Sequence, residues 1–440
     1  MTSSTFPPGP TFKSEWKRPF REVSEEISHG LLVHVRKRFE RFGDIYFLAN
    51  RTPVYVTRHP DHVHEVLVTR ASSFKKRAQD LDTFLGQGLL TSDGELWRKQ
   101  RRLIQPAFSH ANLVRYAEVM VDLTQQTLAG WRHGEQRDLN REMMELTLAV
   151  VCKAVLDYDA RRGANDVVAH AMSVLQGTAG LDVLPRWLPN PIHARKKKAA
   201  DAMDEVIYAI IDERKENPGD DLVSQLLAGT DGEGMERQQL RDELVTLFLA
   251  GHETTALGLA WAMDAIHRHP EVLARVQAEV DTAPDEPTAW AELPYLDAVC
   301  KETLRLYPVL TEVLRTLVRP WHFAGYDLPR GATVSASIHL VHRRPDLYPE
   351  PESFRPERFL EKKFSPFEYI PFGGGHRRCL GAAFAQFEMK VVLAYLLRTY
   401  RFTLESDVAP RPVRRALTLA PEGGVWVRMR PAGLRPAVEA

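Results

Sequence analysis

The stretch Phe372–Gly381 reads F-G-G-G-H-R-R-C-L-G, and its reading decides the fold. Three consecutive glycines, Gly373 to Gly375, allow backbone angles closed to other residues and let another group approach closely. They lead to Cys379, directly before an apolar run, Leu380–Thr399, that reads as a final helix. Backbone N–H groups of a tight turn and of a helix N-terminus stabilise negative charge, so Cys379 is placed to be a thiolate. A thiolate held by N–H donors is a good axial ligand for haem iron. The bland alternative is a glycine-rich loop with an incidental cysteine.

Outward from that loop, the chain is 440 residues with 58 Lys+Arg against 58 Asp+Glu. Zero formal charge argues against a nucleic-acid binder, which carries a basic excess. Hydrophobic residues at 44% are too many for a disordered chain. Three scattered cysteines, Cys152, Cys300 and Cys379, make neither a disulfide framework nor a clustered zinc site, and their usage fits a reducing, cytoplasmic setting. No apolar h-region follows the N-terminus, and the longest apolar run, Val391–Leu397, falls far short of the ~18–20 residues that span a bilayer.

Periodicity predicts a mostly α chain with minor β. A hairpin is expected over Asp44–Thr57, then helix over Asp61–Val68 and from Gly94 to about Ile104. Residues 110–228 read as helices around an apolar, proline-rich loop at Gly177–Pro191. Gly234–His269 predicts one long central helix stopped by Pro270, with an apolar middle at Val245–Ala250. Leu296–Tyr307 is a helix stopped by Pro308; residues 313–341 alternate as strands; Pro345–Phe372 is a long ordered loop. The lead-in 1–20 and the tail 430–440 are expected to be flexible, around one domain spanning 1–440.

Three further motifs carry chemistry. Ala250–Thr255, A-G-H-E-T-T, puts a polar Glu-Thr pair inside an apolar helix. A zinc-protease H-E-x-x-H fails, because position 256 is Ala256. Glu302 and Arg305, at i and i+3, share a helix face and can pair. Trp97 and Arg101, at i and i+4, can donate N–H bonds to one anion.

Together these motifs, in this order, resemble the cytochrome P450 superfamily of haem-thiolate monooxygenases over essentially the whole chain. Phe372, Gly375, Cys379 and Gly381 match its haem loop, F-x-x-G-x-x-x-C-x-G. The resemblance implies a helical bundle with a long central helix and small β-sheets, and haem b (iron protoporphyrin IX) buried between that helix and the cysteine loop. Cys379 would ligate the iron and Phe372 pack beside it. Arg377, Trp97, Arg101 and Arg315 would hold the propionates. Glu253 and Thr254 would manage oxygen and protons at a local opening of the helix. Glu302, Arg305 and Arg358, the last from P-E-R-F at Pro356–Phe359, would form a buried structural charge cluster.

The implied reaction inserts one atom of O2 into a hydrophobic small molecule, a fatty acid, terpenoid or polyketide-like compound. Electrons would come from NAD(P)H through separate proteins, ferredoxin with its reductase or a flavin reductase, docking on the basic patch Arg98, Lys99 and Arg102. Leu90, in the loop Phe84–Thr91, and Ala250, Val309, Leu310 and Val313 are the candidate pocket residues; Glu312 either faces a polar substrate group or sits at a surface turn. A monomer with no nucleic-acid partner is expected. The alternatives are a peroxide-driven peroxygenase, which the Glu253–Thr254 pair argues against, and a non-catalytic haem gas sensor.

Overall fold

The computed structural model describes residues 7–9, 31–48, 53–76, 85–157, 167–168, 170–171, 173–174, 191–229, 234–415 and 417–432. In chain order come α1 (Leu31–Phe42), β1 (Ile45–Leu48), β2 (Val54–Thr57), α2 (Pro60–His64), β3 (Phe74–Lys76), α3 (Gly94–Ile104), α4 (His110–Ala129), β4 (Gln136–Asp138) and α5 (Leu139–Leu156). Next are α6 (Pro191–Glu216), α7 (Leu222–Ala228), α8 (Arg237–Arg268), α9 (Pro270–Thr282), α10 (Pro294–Leu306), β5 (Glu312–Leu317), β6 (Trp321–Phe323), β7 (Tyr326–Leu328) and β8 (Thr333–Ser337). The chain closes with α11 (Ala382–Thr399), β9 (Tyr400–Leu404), β10 (Pro412–Arg415), β11 (Thr418–Pro421) and β12 (Trp426–Pro431). The architecture is thus mostly helical with small sheets, as the periodicity predicts. The turn of the expected hairpin at 49–52, Phe84, the apolar loop at 177–190, most of the lead-in and the end of the tail lie outside the described residues.

The residues form two compact units. The first holds Met1–Arg77, Lys301–Cys379 and Leu417–Leu419. Its sheet has the order β1-β2-β8-β5-β3, parallel between β2 and β8 and antiparallel elsewhere. The hairpin read from Asp44–Thr57 is there, with Ile45 opposite Thr57 and Leu48 opposite Val54. Tyr55, Val334 and Ala336 of the sheet bury against Val63, Val66, Leu67 and Ile370. The strand pattern read to 341 stops at Ser337, because His339 N–H turns to the Thr311 carbonyl (3.1 Å) and Ile338–Val341 winds into one helical turn. The long loop before Phe372 likewise contains a helical turn, Arg358–Glu361.

The second unit holds Ala78–Cys300, Leu380–Ala416 and Ala420–Ala440. Its axis is α8, whose 32 residues extend about 48 Å at 1.5 Å per residue. The helix begins at Arg237, three residues later than the periodicity suggests, because Glu236 is still extended (φ −67°, ψ 155°). Leu244, Val245 and Phe248 of α8 bury with Ile104 of α3, Val151 of α5, Ile207 of α6 and Leu226 of α7. A Cβ at Gly251 would stand 2.8 Å from Val151 Cγ2, so glycine is what lets α5 lie this close to α8. Asp93, Asp138 and Asp221 each accept a backbone N–H at the start of α3, α5 and α7, satisfying donors the helices leave open.

Candidate active site

In the first unit the loop before α11 is held by its own backbone. Gly373 N–H donates to Ile370 O (3.0 Å), Arg378 N–H to Gly375 O (3.1 Å) and Cys379 N–H to Phe372 O (3.0 Å). Gly373 and Gly375 both have φ of +68°, where a side chain is strained. Gly375 also lies against the Leu67 carbonyl, so closely that any Cβ would collide with it. The glycines therefore seat the loop on the turn Glu65–Thr69 and leave Cys379 exposed, while Cys152 and Cys300 are buried. Burial pushes the Cys152 thiol up to about 12, which makes it inert. Phe372, Arg377 and Cys379 thus share one loop, and Val313 Cγ2 is 3.7 Å from the position of a Gly373 Cβ. Arg315 follows on the same face of β5, since side chains two apart along a strand point the same way; its guanidinium donates to the Leu314 carbonyl (2.9 Å). An accessible sulfur, in a loop fixed by its own backbone hydrogen bonds, is a donor that fits haem iron.

The charge cluster is also in this unit. Glu302, Arg305 and Arg358 are all buried. Glu302 accepts from Arg305 Nε (2.7 Å) and NH2 (2.9 Å), from Arg358 Nε (3.1 Å) and from Arg355 N–H (2.8 Å). The remaining guanidinium donors reach backbone carbonyls: Arg305 to His342, Pro351 and Ser353, Arg358 to Pro349 and Glu350. The cluster pins the 349–353 segment to α10. Of the other first-unit candidates, Val309 is buried, its carbonyl taking Leu419 N–H (2.8 Å), and Leu310 is 39% exposed. Glu312 is neither at a surface turn nor unengaged. It opens β5, half-buried, and its carboxylate accepts the Ser335 hydroxyl (2.6 Å).

In the second unit the A-G-H-E-T-T motif lies midway along α8, which continues as helix through it. Thr254 and Thr255 hydroxyls donate to the carbonyls of Ala250 (2.7 Å) and Gly251 (3.2 Å). His252 is buried, bonds Phe248 O through Nδ1 (2.7 Å), and is held below the usual histidine range by that burial, so it is neutral. The apolar middle is not wholly buried. Ala250 is exposed, and Leu247, Gly251, Glu253 and Thr254 are half-buried, while the residues from Thr255 to Ile266 are buried. Positions 247, 250, 251 and 254 form one strip at helical spacing. A small residue at 250 keeps that strip open beside the Glu253–Thr254 pair.

Trp97 and Arg101 share a face of α3, the guanidinium 5.5 Å from the indole centroid. With Arg98, Arg102, Gln105, Pro106, Phe108 and Ser109 they line an open depression of about 610 Å³. Leu90 is half-buried against the core of this unit.

Two features escaped the sequence reading. Asp242 and Glu243, adjacent on α8 and buried, accept the backbone N–H groups of Gln87 (2.7 Å) and Leu89 (2.9 Å). Glu388 of α11 is fully buried, and burial pushes its carboxyl well above the usual carboxylate range, the Thr255 hydroxyl pulling weakly the other way. The signal for Glu388 was present: a lone acid inside the apolar run F-E-M-K-V-V. Nothing in the sequence singles out Asp242 and Glu243 for these main-chain partners.

The family model for Cytochrome P450 matches residues 7–427. A cytochrome P450 of Mycobacterium tuberculosis is 34% identical over 98% of this chain and 92% of that protein. Cyclooctatin synthase of Streptomyces melanosporofaciens is 33% identical over 92% of this chain and 90% of that protein. Pentalenene oxygenase of Streptomyces avermitilis is 32% identical, covering 92% and 91%. Among solved structures, a cytochrome P450 heme domain matches with a TM-score of 0.84 at 25% identity, covering 96% of this chain and 97% of that one. No helix among the described residues is long and apolar enough to cross a membrane. With its loop, its helix motif and its charge cluster in the geometry described, the chain belongs to the cytochrome P450 family and is a haem-iron monooxygenase.

Proposed function

We propose that this monooxygenase hydroxylates an apolar substrate of the terpenoid class, R–H + O2 + 2 e⁻ + 2 H⁺ giving R–OH + H2O. Haem bound through a cysteine thiolate supplies the activation of dioxygen. Cys379 is the proposed ligand, Phe372 its apolar neighbour, and Arg377, Trp97, Arg101 and Arg315 the partners of the propionates. Glu253 and Thr254 hold and pass protons. The observation that carries the reading is the open strip on α8, where exposed Ala250 leaves room directly beside Thr254, between the buried runs 240–246 and 255–266. Its lining is apolar, as are Leu90, Val309, Leu310 and Val313, and apolar walls with few polar groups suit a hydrocarbon. Two relatives, cyclooctatin synthase and pentalenene oxygenase, bear names of terpenoid chemistry, which supports this class over fatty acids and macrolides.

The electrons come from separate proteins in this proposal. Arg98 and Arg102, exposed on α3 at the rim of the depression, are the docking cations for an acidic ferredoxin or flavoprotein. Spectral titration with terpenes, fatty acids and macrolides tests the substrate class. A terpene is expected to perturb the haem spectrum at the lowest concentration, and a macrolide or fatty acid doing so overturns the assignment. Turnover with surrogate ferredoxin, reductase and NADPH, but not with hydrogen peroxide alone, is expected; peroxide-only turnover establishes the peroxygenase instead.

A further inference from the structure

The loop of residues 85–92, L-G-Q-G-L-L-T-S, lies on α8 in an unusual way. Gly86 has φ of +58°, and a Cβ there would run into the Asp242 carboxylate. A Cβ on Gly88 would run into the Thr246 hydroxyl and the Asp242 carbonyl. The main chain therefore touches the helix with no side chain between, and two alternate N–H groups meet two adjacent acids. Gln87 N–H donates to Asp242 Oδ2 (2.7 Å), and Leu89 N–H donates to Glu243 Oε2 (2.9 Å). From the other side Gln100 of α3 donates to the Gln87 carbonyl (2.5 Å) and accepts the Ser92 hydroxyl (2.5 Å). The Thr91 hydroxyl closes the loop on Gly86 O (2.7 Å) and Gly88 O (3.0 Å).

The two acids differ. Asp242 also takes Gln238 Nε2 (3.0 Å) and Arg241 NH1 (3.1 Å), and Arg241 is paired in turn with Asp204 of α6 (2.6 Å), so its charge is compensated. Glu243 is fully buried beside Asp242, and its Oε1 has no hydrogen-bond partner among the described residues. Burial pushes its carboxyl up to about 8, the Leu89 N–H lowering it and the Asp242 charge raising it. At neutral pH it is thus mainly a neutral carboxyl whose acceptor oxygen sits on Leu89, and glutamine reproduces that shape. A buried carboxyl costs stability unless it is hydrogen-bonded; here it holds the Leu89 N–H, and with it the start of the Leu89–Leu90 pair.

We propose that Glu243, with Asp242, is a positioning residue that latches the 85–92 loop to α8, fixes the register of Leu89 and Leu90, and so sets which substrates the pocket accepts. The specificity part rests on the reading of Leu90 as a pocket residue; the latch itself does not.

The test uses the full-length haem-loaded protein and two readouts. Amide hydrogen exchange of the 85–92 peptide reads the latch. In the wild type the Leu89 amide is expected to exchange at least about a hundredfold more slowly than an open loop; exchange at the open-loop rate overturns the latch without any variant. Glu243→Leu is expected to speed it roughly tenfold, as loss of one buried hydrogen bond implies. Glu243→Gln should stay within about twofold of wild type, because the acceptor remains. Gly88→Ala, which displaces the loop and leaves both acids intact, should match Glu243→Leu and serves if that variant does not fold. Equal exchange in all four proteins overturns the latch. The second readout is the ratio of spectral dissociation constants for 4-phenylimidazole and imidazole, a large and a small probe. Glu243→Leu and Gly88→Ala should shift the ratio about fivefold or more while Glu243→Gln does not, since a displaced wall discriminates by size. Faster exchange with an unchanged ratio overturns the specificity role alone. No azole spectrum in the wild type overturns the haem reading and the specificity role that rests on it, and leaves the exchange result to decide the latch.

Discussion

Glu302→Gln removes the carboxylate that two buried guanidiniums share. Glu302 accepts four hydrogen bonds, three of them from Arg305 and Arg358. Breaking one partner out of a buried ion pair costs about 3–5 kcal/mol, because a charge is left uncompensated. Here the lower figure applies. Arg305 keeps the carbonyls of His342, Pro351 and Ser353, and Arg358 those of Pro349 and Glu350, so neither cation is orphaned. About 3 kcal/mol, over a melting entropy of about 0.9 kcal/mol/K for a chain of 440 residues, gives a fall in Tm of about 3 °C. Arg305→Met should cost more than Glu302→Gln, since it removes two of the four hydrogen bonds to the carboxylate and a donor from each of three carbonyls at once. Arg355→Ala should cost at most about 1 kcal/mol, because its exposed side chain pairs, among the described residues, with Glu361 on the surface, and its contribution to the cluster is a main-chain N–H that alanine keeps. Thermal unfolding followed by circular dichroism, at one scan rate, orders the three. A fall below about 1 °C for Glu302→Gln, or Arg355→Ala costing as much, refutes the reasoning that this cluster carries the stability of its segment.

Gly375→Ala forces a side chain into positive φ and against the Leu67 carbonyl, so haem incorporation, read as the ratio of Soret to protein absorbance, should fall severalfold; full loading would mean the loop tolerates a Cβ. Thr254→Ala should keep substrate binding and divert reducing equivalents to peroxide, so that product formed per NADPH drops well below wild type; coupling at the wild-type level would count against proton delivery. Glu388 is held above the carboxylate range in the folded state, so the folded protein binds more protons than the unfolded one and loses stability as pH rises from the ordinary carboxylate range. Glu388→Gln should therefore gain Tm over wild type as pH is raised from 5 toward the alkaline side, and a constant difference across that range would show that Glu388 does not titrate with folding.

Much of the site was legible because the chemistry dictates residue types at fixed spacing. The cysteine loop, the Glu-Thr pair and E-x-x-R stood out for that reason, and the helical spacing from Gly94 to about Ile104 matches the bounds of α3. What escaped depends on contacts distant in sequence. The exposure of Ala250 is set by what packs on α8, and an apolar run from Val245 to Ala250 looks uniformly buried in the sequence. Glu312 stayed open between a surface turn and a polar substrate contact, because its strand begins there and its partner, Ser335, lies on β8. Asp242 and Glu243 bond main-chain groups about 155 residues away, and main-chain partners leave no trace in residue types.

The central claim is that Cys379 is the axial ligand of a haem. The absorption spectrum of the reduced, carbon-monoxide-bound protein tests it most directly. Wild type should show the red-shifted Soret band characteristic of a thiolate ligand, and Cys379→Ala should lack it while Cys152→Ala and Cys300→Ala retain it. A red-shifted band that survives in Cys379→Ala, or its absence from a fully loaded wild type, would contradict the assignment.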